Sequence, residues 1–520
     1  MARAKRSFPK GPACLCLLIL LLLCACGAEQ RKNYFYTYMQ SDPGKLDPFY
    51  NTDVISGRIL AKISSGLFTI DSAGLLKRDL AERYSFDGHR LIVDLRKDAF
   101  FHDGSPLRAD DVVFSFERIW KSSHPTSPRK WVFSGIRNIT AEGPSRIRIT
   151  LKRKSALFLY LLTMPNCYII SRRAFERDGR LITSGPFILR EWLYDEKLVL
   201  VRNPRYYGPR PEIDGMIFRI IPEDLTARFE FINGKLDYFE IPYLADIRFR
   251  TGRARVIKVP EMNVHYIALN NRRRPFDDRS VRRALNMAID RPSIRRTLFR
   301  DRFLDATGPI PPGTGEYKSR VSAIPYDPLK AREILSKAGL QGKEYTLLIK
   351  ADNQVSLICQ MLQHYFKQAG IDIRIKAMEW SALKAATFNG DFDMAYFTWY
   401  ADYPEPENYF FPLFHSVNAG SGGNRSFFHS READRLISLS QETLDREKRF
   451  DIYHRLERII VGEAPWIFLW YGDKTIAVSG RVRRFVPYPI FTGFKGTELV
   501  MDSAPRKQDN EGSKIGRAHV

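Results

Sequence analysis

The stretch Val264-His-Tyr-Ile-Ala-Leu-Asn-Asn-Arg-Arg-Arg-Pro-Phe276 divides the chain into two textures. Before it, strand-like runs recur at 34–38, 197–202 and 216–221, and residues 83–96 form a hairpin pattern around Asp87-Gly88, a dipeptide suited to a turn with positive φ. The helical patterns of this half are fewer. One places Val112, Val113, Phe116, Ile119 and Trp120 on a single face behind Asp110 and Asp111, and another spans 225–233 and closes at Gly234. After residue 276 helical spacing dominates, at 281–289, 328–338, 356–369 and 445–461, with Gly339 and Gly370 as C-caps. Strand character persists at 371–377 and in the apolar run 465–471. Strands alternating with helices predict an α/β or mixed architecture. An apolar strand at 264–269 and a strand returning near 466–478 predict a second lobe inserted between two crossings, and two crossing strands make a hinge.

Composition agrees with a folded chain of several domains. Of 520 residues, 44% are hydrophobic and 27% charged, which excludes wholesale disorder and a polytopic membrane protein. At ~100–200 residues per domain, two to four domains are expected. The formal net charge of +23 fits contact with anionic lipid, anionic polymer or nucleic acid and does not choose among them. The densest basic stretch holds Arg272, Arg273, Arg274, Arg279, Arg282, Arg283, Arg291, Arg295 and Arg296. These arginines spread around the helix rather than along one stripe, so a solvated basic surface facing lipid or envelope polymer is expected in preference to a nucleic-acid face.

The N-terminal residues point to export. Arg3, Lys5, Arg6 and Lys10 precede an unbroken apolar run over 13–25, too short for the ~20 residues that span a bilayer and the length of a signal h-region. The run ends in Leu23-Cys-Ala-Cys26-Gly27, which resembles a bacterial lipobox, with Cys26 as the acylated residue. Two or more acyl chains there would supply stable membrane attachment. Cys167 and Cys359, the two cysteines of the body, are read as separate buried thiols, and no disulfide framework or zinc spacing is present.

Catalytic patterns are weak. There is no G-x-S-x-G elbow and no H-x-x-x-H pair, His102-Asp-Gly104 reads as a turn, and the glycine-rich run 419–424 lacks the ending of a phosphate loop. The informative segment is Phe392-Asp-Met-Ala-Tyr-Phe-Thr-Trp-Tyr-Ala-Asp-Tyr-Pro-Glu-Pro-Glu-Asn-Tyr409. An apolar strand runs into an aromatic cluster, delivers Asp402 and breaks at Pro404 and Pro406. A carboxylate beside Trp399, Tyr400 and Tyr403 needs a cation. That cation is either internal, making Asp402 a structural ion pair, or an ammonium brought by a ligand, in a charge-assisted bond worth ~1.5–3 kcal/mol.

These motifs, in this order, resemble one family. Lys45-Leu-Asp-Pro48, Phe101-His-Asp-Gly-Ser-Pro-Leu107, Ser184-Gly-Pro-Phe187, Asn203-Pro-Arg-Tyr-Tyr207, Asn233-Gly-Lys-Leu-Asp237, Pro275-Phe-Asp-Asp-Arg-Ser-Val281, Tyr326-Asp-Pro-Leu-Lys330 and Trp399-Tyr-Ala-Asp-Tyr-Pro-Glu-Pro406 are similar to stretches of the family 5 extracytoplasmic solute-binding proteins, the peptide-binding components of ATP-driven oligopeptide and dipeptide importers. The resemblance covers nearly all of 34–480. It implies a two-lobed periplasmic-binding-protein fold with an extra subdomain in the first lobe, a two-strand hinge and a ligand cleft between the lobes. The matching boundaries are a lipoprotein signal peptide at 1–25, first lobe at 26–58 and 184–264, subdomain at 59–183, second lobe at 265–473, first-lobe return at 474–502 and a disordered tail at 503–520.

The resemblance also implies a site. The Asp of the W-x-x-D segment, here Asp402 after Trp399, takes the ligand's ammonium. Backbone groups of Thr398 and Tyr400 pair with an extended peptide. Tyr403 joins the aromatic wall, and Ser65, Gly66 and Leu67 supply contacts from the opposite lobe. Two departures stand out. Ser65 replaces a Glu common in the family, and Tyr396, Phe397 and Thr398 occupy places where some oligopeptide binders carry an Arg for the ligand carboxylate, so the cation for that end is unassigned. The expected function is a non-enzymatic, monomeric, lipid-anchored receptor on the extracytoplasmic side of a bacterial membrane. It captures peptides and passes them to an ABC permease, with no cofactor or metal of its own and no nucleic-acid partner. The rivals are the same fold binding a peptidoglycan-derived peptide or a nickel or haem complex, an envelope structural lipoprotein, and an envelope hydrolase.

Overall fold

Every residue of Asn263–Leu269 is buried, the mark of a strand covered on both faces. In the computed structural model of the chain it lies third in a six-stranded mixed sheet, ordered Leu304–Asp305, Trp466–Tyr471, Asn263–Leu269, Met394–Tyr400, Glu344–Lys350, Asp372–Met378. The residues described are 33–51, 53–123, 130–155, 157–242, 254–300, 302–420, 423–490 and 493–502. The expected signal peptide, Cys26 and the tail 503–520 lie outside them. Helices expected from sequence cover the sheet, Arg279–Met287 through Ala284 and Leu285, Asn353–Gln368 through Cys359 and Leu362, and Arg446–Glu463 through Leu456 and Ile460, in one continuous core. This is the second lobe.

The first lobe has a core of its own. Tyr34–Met39, Gly215–Ile220, Lys197–Arg202 and Phe187–Leu193 form a four-stranded sheet. The expected hairpin appears as Ala81–Asp87 and Arg90–Leu95 within an antiparallel sheet completed by Arg146–Leu151 and Ile136–Ala141. Helix Ala109–Trp120 lies on it with Val112, Phe116 and Ile119 buried, making the subdomain. Gly185 presses on the end of helix Val54–Ile63, where an added Cβ would sit 2.3 Å from the Ile63 carbonyl carbon, so only glycine permits this approach.

A three-stranded sheet of Tyr238–Ile241, Asp473–Val478 and Arg255–Pro260 borders the second lobe. The chain leaves that sheet at Pro260 and enters the six-stranded sheet at Asn263, then returns between Tyr471 and Asp473. The crossings therefore fall at Glu261–Met262 and at Gly472. The first precedes 264–269, which belongs wholly to the second lobe. A strand buried on both faces carries the same apolar signature whether it crosses or lies inside a sheet, which is why sequence placed the crossing too late. Among the described residues no helix is long and apolar enough to cross a membrane.

The basic stretch is also corrected. Arg282 and Arg291 are buried. Arg282 donates to the carbonyls of Phe276, Asp277 and Glu463, and Arg291 to those of Phe468 and Asn286. Two arginines of the expected surface are thus internal, serving carbonyls at helix and strand ends. Cys167 and Cys359 are separate buried thiols, as expected, and burial pushes both thiols up.

Glu457 lies buried in the second lobe and accepts a hydrogen bond from the Tyr317 hydroxyl at 2.6 Å. Burial pushes its carboxyl up to about 7, against the pull of that hydrogen bond. Between its unfolded value of 4.5 and about 7 the folded state holds a proton that the unfolded state has lost. Stability therefore falls as pH rises through this window, by on the order of 3 kcal/mol in all. Glu457→Gln removes the titration. Urea unfolding of both proteins at pH 4.5 and pH 8 is expected to show the variant gaining about 3 kcal/mol on the wild type over that range.

Candidate functional site

Strand Met394–Tyr400 is antiparallel to Asn263–Leu269, with Thr398 opposite His265 and Tyr400 opposite Asn263. The N–H groups of Ala401 and Asn270 donate to the carbonyls of Met262 and Asp393, which fixes the phase of the ladder. Odd-numbered positions turn their peptide groups toward Asn263–Leu269, and Thr398 and Tyr400 turn theirs the other way. On that other side Glu344–Lys350 pairs only as far as Ala395. The peptide groups of Thr398 and Tyr400 thus point to an edge that the neighbouring strand has left. The Tyr400 side chain is 51% exposed there. The hydroxyls of Thr398 and Tyr396 lie 3.0 and 2.8 Å from Nδ1 of His265, whose ring burial keeps neutral, with its pKa down to about 3. The partly buried Trp399 packs against the second-lobe core.

The turn after the strand is held from within. Asp402 is half-buried, and its N–H donates to Oδ1 of Asn408 at 2.9 Å. Glu405 accepts from Nε of Arg449 at 2.9 Å and from the Tyr453 hydroxyl at 3.0 Å. Glu407 accepts from Tyr403 at 2.5 Å and from Gln441 at 2.6 Å. Burial works against ionising Glu405, and the Arg449 guanidinium works for it. The two carboxylates that follow Asp402 are therefore committed to the fold.

Four of the expected site residues are engaged within the protein. Tyr403 is buried in the core of the first-lobe subdomain although it belongs to a second-lobe loop, and its hydroxyl donates to Glu407. Leu67 lies fully buried in the same core, and its carbonyl accepts from Asp79 and Ala81. The Gly66 N–H goes to Asp79 and its carbonyl accepts from Leu80, while Ser65 donates to the Ser184 carbonyl and its own carbonyl accepts from Ile169. The three carbonyls and the Gly66 N–H are thus engaged within the first lobe.

Between the lobes lies a cavity of about 370 Å³, within the ~300–1,000 Å³ usual for small-ligand sites. Strand Tyr34–Met39, helix Val54–Ile63 and the crossing strands line it from the first lobe, and Tyr400 and Ala401 from the second. Thr398, Trp399, Asp402 and Tyr403 are not on its lining. Its charges escaped the sequence reading. Glu240 is paired with Lys474 and lies 4.0 Å from Arg58. Burial alone would raise the Glu240 carboxyl, but these two cations hold it below its ordinary value. Lys62 also lines the cavity. It stands one turn after Arg58 on the same helix face.

The model of the bacterial extracellular solute-binding proteins, family 5 Middle, matches residues 76–421. The chain belongs to that family. It is 30% identical over 470 residues to the glutathione-binding protein GsiB of Escherichia coli (strain K12), covering 86% of this chain and 91% of that one. It is 29% identical over 429 residues to a probable di/tripeptide-binding protein 5 of Pseudomonas aeruginosa (strain UCBPP-PA14), covering 76% and 81%. The fold is that of the ABC transporter-associated periplasmic binding protein DppA from Helicobacter pylori, solved in complex with peptide STSA, with TM-score 0.77 at 24% identity over 91% of this chain and all of that one. This family 5 solute-binding protein thus has the two-lobed architecture of its relatives, and members of the family are extracytoplasmic.

The Glu405–Arg449 pair fixes the loop that carries Asp402. Arg449→Met leaves a buried carboxylate without its cation and is expected to destabilise the protein by ~3–5 kcal/mol, read as a lowered urea midpoint at unchanged slope.

Proposed function

We propose that the chain is a non-enzymatic receptor that binds peptides between its lobes and delivers them to an ABC importer. The observation that carries this reading is the phase of strand Met394–Tyr400, which aims the peptide groups of Thr398 and Tyr400 at an edge not covered by Glu344–Lys350, two residues before Asp402. An extended peptide adds to such an edge by main-chain hydrogen bonds that are indifferent to its side chains. Asp402 takes the ligand's N-terminal ammonium, and Trp399 backs the strand. The ligand touches both lobes and so favours their closed arrangement, which the permease reads. Acylation of Cys26 tethers the receptor, which works as a monomer, to the extracytoplasmic face of the membrane. Relatives named for peptide and glutathione binding support a peptide-like ligand.

Mass spectrometry of whatever co-purifies with the protein tests the ligand class. Peptides are expected, while muropeptides alone, a haem or nickel complex alone, or nothing after gentle purification would count against this reading. The anchor is tested by substitution. Asp402→Asn is expected to weaken free-amine peptides by ~1.4–3 kcal/mol, tenfold or more in affinity, and to leave N-acetylated peptides unchanged. Equal calorimetric affinities of wild type and variant for a free-amine peptide would remove Asp402 from the site.

A further inference from the structure

Lys62 stands in the last turn of helix Val54–Ile63, 4% exposed, on the wall of the interlobe cavity. Its ammonium donates to the carbonyls of Arg58 and Phe494, each at 3.0 Å, and lies 4.9 Å from the centre of the Phe494 ring. Two of its three donors are thereby used. Among the described residues it makes no ion pair with a carboxylate. The carboxylates on the same cavity are engaged elsewhere, Glu240 with Lys474 and Arg58, and Glu261 as acceptor from Nδ2 of Asn263 at 2.8 Å. A fold that buries a cation pairs it or loses the charge, because an uncompensated ammonium in a dry site is costly. This one is set in a cavity that Tyr400 and Ala401 of the second lobe also line, and Asp402 follows them in sequence.

We propose that Lys62 is the anion-reading end of the site, binding the terminal carboxylate of a ligand whose ammonium meets Asp402. The proposal rests on the peptide reading above and narrows its substrate class to peptides with a free C-terminus. The ligand carboxylate completes the coordination of Lys62 with a charge-assisted hydrogen bond. The cation comes from the other lobe, so the two ends of the ligand tie the lobes together.

Protonation gives an independent readout. In the unliganded protein burial, and next the charge of Arg58, hold the Lys62 pKa down to about 7. At pH 8 the amine is mostly neutral, and an arriving carboxylate raises its pKa, so binding draws in about one proton. Arg58, Glu240, Glu261, Lys474, Tyr38 and Tyr488 share the cavity and face the same ligand, so the acid must be compared with its amide rather than read alone.

The probes are trialanine and trialaninamide, titrated into the full chain at pH 8 in two amine buffers of different ionisation enthalpy. Wild type is expected to bind the acid at least tenfold tighter than the amide and to take up about one more proton with it. Lys62→Met should bind both alike, and Lys62→Arg should keep the preference without the extra proton. Equal affinity and equal proton uptake for acid and amide in wild type overturn the proposal, with no reliance on a variant that folds. If wild type binds neither probe, the peptide reading fails instead, and acetate decides the role of Lys62. A rise in melting temperature with acetate in wild type and Lys62→Arg but not in Lys62→Met keeps the anion site, whereas no rise, or an equal one in all three, removes it.

Discussion

Three hydrogen bonds at the point where the chain passes twice between its lobes hold the architecture together. The Glu261 N–H donates to the Gly472 carbonyl at 3.3 Å, the Gly472 N–H donates to Oδ1 of Asn263 at 2.7 Å, and Nδ2 of Asn263 donates to Glu261 at 2.8 Å. On either side the two passing strands pair antiparallel, Pro260 opposite Asp473 and His265 opposite Trp470, the latter followed by a register shift between His265 and Tyr266. Only in the short gap between does an Asn side chain stand in for the ladder. A Cβ on residue 472 would come within 2.9 Å of that side chain, so glycine is required for the two passes to lie this close. Such a short gap between two intact sheets is the kind of place where hinge motion in two-lobed proteins is absorbed. Glu261 and Met262 also line the cavity, so the pivot and the binding space share residues.

The charges around that space follow a rule. Several buried or half-buried carboxylates are neutralised by a neighbouring cation, Glu405 by Arg449, Glu240 by Lys474 and Arg58, and Asp79 by Lys495 in a pair beside Tyr206 and Tyr207. Arginines that the core needs serve carbonyls, as Arg291 does and as Arg302 does across the lobes at Ile241 and Pro242. Lys62 has the burial of the first group and the carbonyl partners of the second, yet it borders open space rather than packed core. That combination sets it apart from the structural cations.

How much of this was legible in sequence depended on the range of the cause. Asp87-Gly88, Gly339 and Gly370 act on their own turns through positive φ, and the hairpin and both helix ends fall where those residues put them. The alternation that places Thr398 and Tyr400 on one side of a strand is equally local. What the sequence could not carry was the partner. Whether 264–269 crosses or lies within a sheet depends on which strand it meets. Ser65, Gly66 and Leu67 sit beside a helix end, as a ligand contact would, yet Asp79, Leu80 and Ile169 claim their peptide groups from elsewhere in the subdomain. Lys62 was silent because its isolation from carboxylates is a property of three-dimensional surroundings.

The placement of Tyr403 bears on how the lobes close. Its ring belongs to a second-lobe loop but is buried in the subdomain core, and beside it Ala401 packs on a small cluster of Ile70, Met262 and Ile490. These contacts join residues from both lobes. Burying a large apolar side chain contributes roughly 1.5–3 kcal/mol, so the Tyr403 ring is a substantial part of what holds this loop to the subdomain. A ligand that touches both sides of such a seam shifts the balance between arrangements of the lobes by its differential affinity for them.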